Sequence, residues 1–183
     1  MAELDSFKLQ IGDDAPSFEH LPGVDGKFWG LGDFARSPLL LVVFSCNHCP
    51  YAQAWEGRII ELVREFATQG LGTIMINSNE TSNYPDDRMD RMVERARSKG
   101  YPFPYVRDDE QSVAKAYGAL VTPHPFLFDR ERRLIFQGKP DDSWQVPSKV
   151  KRAFLREAIE SAVAKKHIPT PVSSVIGCTI KWK

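Results

Sequence analysis

The chain has 183 residues, 42% hydrophobic and 26% charged, the balance of an ordinary globular domain and a length that suits one domain, residues 1–183, with a full core. Lysine plus arginine and aspartate plus glutamate both number 24, so the formal net charge is zero; this argues against a nucleic-acid binder held by phosphate contacts and against a polybasic membrane anchor. The N-terminal "MAELDSFKLQIGDDAP" has no apolar core and carries acids early, and no apolar run approaches the roughly 18 residues of a membrane span, so a cytoplasmic location is expected.

Taken in chain order, the elements alternate. "FEHLPGVDGKFWGLGDFA" holds Asp25-Gly26 between short apolar segments, a hairpin-turn pattern. "SPLLLVVFS" (37–45) is a continuous apolar run, the pattern of a central strand buried on both faces. From Pro50, the residues Ala54, Trp55, Ile59, Leu62, Val63 and Phe66 recur at helical spacing, and the helix is expected to end near Gly70. "LGTIMINSN" (71–79) reads as a second buried strand. "PDDRMDRMVERARSKG" opens with Pro85 and two acids and closes at Gly100, as one helix. A short strand in "YPFPYVRDD" and a short helix in "EQSVAKAYG" follow. "PFLFD" and "RLIFQGK" flank the charged turn "DRERR", a hairpin. "VPSKVKRAFLREAIESAVAKK" is a final helix with Val150, Phe154, Leu155, Ile159 and Val163 on its inner face. "HIPTPVSSVIGCTIKWK" lacks a helical period and is expected to run extended across the surface. Strands alternating with helices predict an α/β sheet covered on both faces, its last strand pair antiparallel.

Cys46 and Cys49 lie between the first buried strand and the helix after it. At a strand-to-helix junction the unpaired N–H groups and the helix dipole favour a thiolate. Pro50 is tolerated in a first turn. His48, when protonated, adds positive charge beside the sulfurs. The pair therefore reads as redox-active, with Cys46 attacking and Cys49 resolving. Structural zinc needs four ligands; there is no second Cys-x-x-Cys, and His20, His124 and His167 are scattered. Two buried structural thiols are the remaining reading. In the cytoplasm structural disulfides are rare, and three cysteines are a poor count for a disulfide framework. Further on, Thr122-Pro123 precedes the strand "PFLFD", a place that suits a cis bond in a tight turn or an ordinary loop proline.

Together, "FSCNHCPY", "NSNE…YPDD", "GYPFPY", "AKAYGALVTPHPFLFD" and "IGCTIKWK" resemble the thioredoxin superfamily, within it the peroxiredoxin and TlpA-like branch and the bacterial peroxiredoxin-like group 1. The resemblance covers nearly the whole chain. It implies a thioredoxin-like fold, a central mixed β-sheet flanked by helices with an N-terminal β-hairpin and an extended C-terminal tail. It implies Cys46 as nucleophile and Cys49 as resolving cysteine. Pro123 matches the cis-proline that faces the disulfide, and Thr122 offers backbone groups to a substrate strand. Asn47-His48 replaces the Gly-Pro of thioredoxin, resembles the more oxidising members in carrying a histidine, and implies a raised reduction potential. Aligned on Cys-Pro, the peroxidatic cysteine of a peroxiredoxin would be Cys49, but the threonine expected three residues earlier is Cys46.

The leading expectation is a thiol–disulfide oxidoreductase that needs no cofactor. Its partners would be a thiol or disulfide of a protein or small molecule and a cellular thiol reductant, with no nucleic acid and no membrane. Asn47, His48 and His124 are candidate modulating residues. The alternatives are a weak thiol-dependent peroxidase, and a metallochaperone module with Cys46, Cys49 and His124 as ligands. Cys178 is either a third thiol on a tail folded back toward the pair, or a buried cysteine pinning the tail with Val175, Ile176, Ile180 and Trp182.

Overall fold

The structure, a computed structural model, describes residues 7–183; residues 1–6, part of the stretch read for targeting signals, lie outside the described residues. In chain order the elements are β1 (Leu21–Pro22), β2 (Phe28–Trp29), β3 (Leu39–Phe44), α1 (Pro50–Phe66), β4 (Leu71–Asn77), α2 (Met89–Lys99), β5 (Tyr105–Arg107), α3 (Ser112–Tyr117), β6 (Val121–Thr122), β7 (His124–Phe128), β8 (Leu134–Gln137), α4 (Phe154–Val163) and β9 (Cys178–Thr179). β1 and β2 form the hairpin expected at Asp25-Gly26. Gly26 sits at φ +78°, where a missing Cβ removes the steric penalty.

The main sheet has the order β5-β4-β3-β7-β8. β3, β4 and β5 run parallel, while β7 and β8 are antiparallel additions. Every residue of β3 is buried, as its apolar run requires. Strand alternation divides it between two cores. Leu39, Leu41 and Val43 pack with Trp55, Ile59, Leu62, Val63 and Phe66 of α1 and with Leu155 and Ile159 of α4. Leu40, Val42 and Phe44 pack on the other face with Tyr117, Phe126 and Phe128. Each such side chain, fully buried, contributes about 1.5–3 kcal/mol. These two cores fix where β3 ends and α1 begins, and so fix the cysteine pair.

Two helices start later than expected. Residues Pro85–Asp87 form a 3-10 turn, Arg88 is extended (φ −65°, ψ 155°), and α2 begins only at Met89. The break turns Asp87 inward, where it is fully buried. The last helix begins at Phe154 rather than Val146. Pro147–Lys149 is a 3-10 turn and Val150 is extended, so Val150 lies off the helix. The Asp142 carboxylate accepts the N–H groups of Lys151 (3.0 Å) and Arg152 (3.2 Å), so a side chain replaces helical acceptors there.

The tail is extended but not superficial. Val175 and Ile180 are buried, and β9 pairs antiparallel with β6, placing Cys178 opposite Thr122. It is held upstream by Gln137 N–H to Pro171 O (3.0 Å) and Ser173 N–H to Gln137 O (3.0 Å). Downstream, Lys181 N–H donates to Asn79 Oδ1 (2.9 Å) and Lys181 O accepts from Glu80 N–H (2.8 Å).

Candidate active site

β3 delivers the chain through Ser45 to Cys46, and Asn47-His48 lead into α1. Cys49 is the N-cap residue and Pro50 the first helical residue, where its missing N–H costs nothing. Facing the pair, the Thr122–Pro123 bond is cis. Thr122 meets both sulfurs: its Oγ1 lies 3.3 Å from Cys46 Sγ, and its carbonyl oxygen 3.2 Å from Cys49 Sγ. On the other side of Cys49 is a third sulfur, Cys178 Sγ, at 2.7 Å. All three cysteines are free thiols. Cys49 is 0% exposed and Cys46 4%, while Cys178 is half-buried.

Within the pair the Cys49 thiol is pushed down, to about 4, by a hydrogen bond from the Cys46 thiol, helped by Cys178, Thr122 and the nearby Ala52 N–H, against the opposing effect of burial. Cys46 is held well above the ordinary thiol range by the proton it shares with Cys49, by burial and by the Asp87 charge. Cys178 is pushed up to about 12 by burial and by its contact with Cys49. Position acts in the same direction. Cys49 caps the helix, where orphan N–H groups and the dipole favour an anion. Cys46 sits three residues earlier, beside a buried carboxylate.

That carboxylate is the part of the site the sequence reasoning missed. Asp87 accepts hydrogen bonds from Asn47 N–H (2.6 Å), Asn77 Nδ2 (3.1 Å) and Asn79 Nδ2 (2.9 Å), and lies 2.6 Å from His48 Nδ1. A buried carboxylate needs such partners. Tyr105 completes the network, donating its hydroxyl to Asn47 Oδ1 (2.9 Å) and accepting from Asn77 Nδ2 (3.1 Å). The sequence signal was present in "NSNE…YPDD": a run of polar residues at the end of a buried strand. His48 therefore directs its hydrogen bond to Asp87, and its ring stacks on Tyr84 at 5.2 Å. A polar cleft lined by Asn47, His48, Gln53, Asp86 and Arg91 opens beside this dyad.

His124 does not join the cysteines. It pairs in register with Phe44, is fully buried, stacks on Phe126 at 4.2 Å and accepts the Leu120 N–H on Nδ1 (3.3 Å). Burial pushes it down to about 3. The ligand set Cys46, Cys49 and His124 is therefore not assembled. Among the described residues the cluster with ligand atoms within 4.8 Å is Cys46, His48 and Asp87, and His48 and Asp87 are already bonded to each other. His20 and His167 are exposed.

Thiol-disulfide oxidoreductase ResA of Bacillus thuringiensis subsp. konkukian is 25% identical over 138 residues, covering 74% of this chain and 73% of ResA. The crystal structure of a hypothetical protein from Sinorhizobium meliloti 1021 is 38% identical, superposes with a TM-score of 0.88 and covers 96% of both chains. A thioredoxin family thiol:disulfide interchange protein from Chlorobium tepidum TLS, 17% identical, superposes with a TM-score of 0.65 over 85% of this chain and 99% of its own, a likeness of fold. Residues 11–137 match the AhpC/TSA family, and the chain belongs to that family within the thioredoxin superfamily.

Proposed function

We propose that the protein is a thiol–disulfide oxidoreductase whose redox centre is the Cys46-Asn47-His48-Cys49 pair, with Cys49 as the attacking thiolate. The observation that carries this reading is the capping sulfur of α1, held between two other thiols and facing the cis Thr122–Pro123 bond. The Cys49 thiolate attacks a substrate disulfide, forms a mixed disulfide and releases one substrate thiolate. Cys46 then attacks Cys49 Sγ, giving the Cys46–Cys49 disulfide and releasing the second thiolate. The proton leaving Cys46 has the His48–Asp87 dyad within 4.8 Å as acceptor. A cellular thiol reductant restores the dithiol. This order reverses the one expected from the helix-start argument, because the depressed pKa belongs to Cys49 and attack depends on the thiolate.

The test is turnover of a protein or glutathione disulfide. Cys49→Ser is expected to lose it. The double variant Cys46→Ser, Cys178→Ser is expected to accumulate a mixed disulfide on Cys49, visible as a mass adduct. Full turnover by Cys49→Ser, or no adduct on the double variant, overturns the assignment.

A second reading, a thiol-dependent peroxidase, draws support from the low pKa of Cys49 next to Pro50. Against it, Cys46 stands where the peroxide-binding hydroxyl would be. Stopped-flow peroxide consumption decides: a rate constant no better than that of free cysteine ends this reading.

A further inference from the structure

Three features of the tail converge on Cys49. First, β9 runs antiparallel along β6 with Cys178 opposite Thr122, the residue before the cis bond. This is the edge along which an incoming extended peptide would add as a strand. Second, the approach is built for close contact. A Cβ on Gly177 would lie 2.3 Å from the Thr122 carbonyl oxygen and 2.9 Å from its carbon, so only glycine lets the tail backbone come so near. Third, the strand is tied on both sides, at Pro171 and Ser173 to Gln137 and at Lys181 to Asn79 and Glu80. The result is a cysteine held 2.7 Å from the sulfur that caps α1, on a segment 129 residues away in sequence.

We propose that Cys178 is a third redox thiol, held against Cys49 by a strand of the protein's own tail in the place of a substrate strand, and that it is the sulfur through which an external thiol reductant enters the centre. The proposal rests on the reading of Cys49 as the redox thiolate. After substrate reduction the oxidised form is the Cys46–Cys49 disulfide. Cys178, giving up its proton, attacks Cys49 Sγ. The Cys46–Cys49 bond breaks, the Cys49–Cys178 bond forms, and Cys46 takes the electron pair and a proton. The step is redox-neutral. A reductant thiol then attacks Cys178 Sγ, the least buried of the three sulfurs. The Cys49–Cys178 bond breaks, Cys49 leaves as a thiolate, and a mixed disulfide stays on Cys178. A second reductant thiol attacks that mixed disulfide at the reductant's own sulfur, releasing the Cys178 thiol and the oxidised reductant. Cys49 suits the second step because it caps α1, where a departing thiolate is stabilised. Because the Thr122 edge is already occupied, the reductant needs an accessible thiol rather than a strand to lay along it.

The experiment treats the reduced protein with one equivalent of diamide, a two-electron thiol oxidant, then acid-quenches, alkylates and maps disulfides by non-reducing mass spectrometry. Cys46→Ser is expected to give the Cys49–Cys178 linkage as its main oxidised product, and Cys178→Ser the Cys46–Cys49 linkage. Gly177→Ala is expected to retain Cys46–Cys49 and to lose at least tenfold in Cys49–Cys178. In parallel, oxidised Cys178→Ser is expected to be reduced by glutathione at least tenfold more slowly than wild type. Absence of the Cys49–Cys178 linkage in Cys46→Ser, or an unchanged reduction rate in Cys178→Ser, overturns the proposal while Cys46–Cys49 still forms. Absence of any linkage through Cys49 in the wild type overturns the underlying reading instead.

Discussion

Cys46→Ala isolates the interaction that sets the charge at the site. The largest contribution holding Cys49 down is the hydrogen bond from the Cys46 thiol. Hydrogen bonds to charged groups contribute about 1.5–3 kcal/mol, and one pKa unit corresponds to about 1.36 kcal/mol. Removing the donor is therefore expected to raise Cys49 by about 1–2 units. The Cys178 thiol, Thr122 and the helix end continue to favour the thiolate, so Cys49 stays below a free thiol. Cys46→Ser supplies the control, because its hydroxyl also donates and is expected to recover most of the shift. Thiolate absorbance near 240 nm against pH, with residue-resolved alkylation to assign the steps, reads all three proteins. The reasoning is refuted if wild-type Cys46 titrates before Cys49, or if Cys46→Ala leaves the Cys49 midpoint in place.

Asp87→Asn removes the charge that raises Cys46 and turns an amide donor toward groups that already donate to the carboxylate. The Cys46 midpoint is expected to fall and stability to drop by about 1–3 kcal/mol, read by thiolate titration and urea unfolding; an unmoved midpoint contradicts the role. His124 binds a proton near 6.5 when unfolded and only near 3 when folded, so its contribution is present above 6.5 and is lost as pH falls toward 3. Between pH 7 and pH 5 the loss is about 2 kcal/mol, and His124→Gln is expected to lack it; equal acid sensitivity of the two proteins would be the contrary result. Glu56, buried on α1, is bonded to Arg95 Nε at 2.6 Å and Nη2 at 3.1 Å. Glu56→Leu leaves that partly buried guanidinium without its partner and is expected to cost about 1–3 kcal/mol in urea unfolding; no measurable loss would contradict it.

The sheet was legible because its signal is local. The run over Leu39–Phe44 and the helical period from Pro50 each need only their own residues to be read. The same holds for the cysteine pair and the Thr122-Pro123 step. What escaped has no local signature. β6 and β9 are two residues each, too short to leave a period, and exist because each supplies the other's pairing. Asp87 looked like one of two acids opening a helix; it became the buried centre of the site because Asn47, Asn77 and Asn79 converge on it from other elements. The proposed order of the thiols rests on a boundary of the same kind. The helix-start argument favours whichever sulfur caps the helix, and α1 begins one residue after Cys49, with Cys46 left in the loop beside a carboxylate.

Asn79 joins the tail strand to the buried carboxylate. Its Oδ1 accepts the Lys181 N–H of the tail at 2.9 Å, and its Nδ2 donates to Asp87 Oδ2 at 2.9 Å. A single amide thus bridges the strand that carries Cys178 and the carboxylate that raises Cys46. Asn79 is itself 2% exposed, so neither bond is readily replaced by water, and leaving either unmade carries the cost of a buried polar group. The tail and the Asp87 turn consequently stabilise each other's positions. Lifting β9 from Thr122 withdraws Cys178 from Cys49, and if Lys181 moves with it, it frees the amide that orients Asp87 toward His48. Seating β9 restores both. The third thiol and the buried dyad are parts of one assembly around the capping sulfur of α1, built from the tail, the end of β4 and the turn before α2.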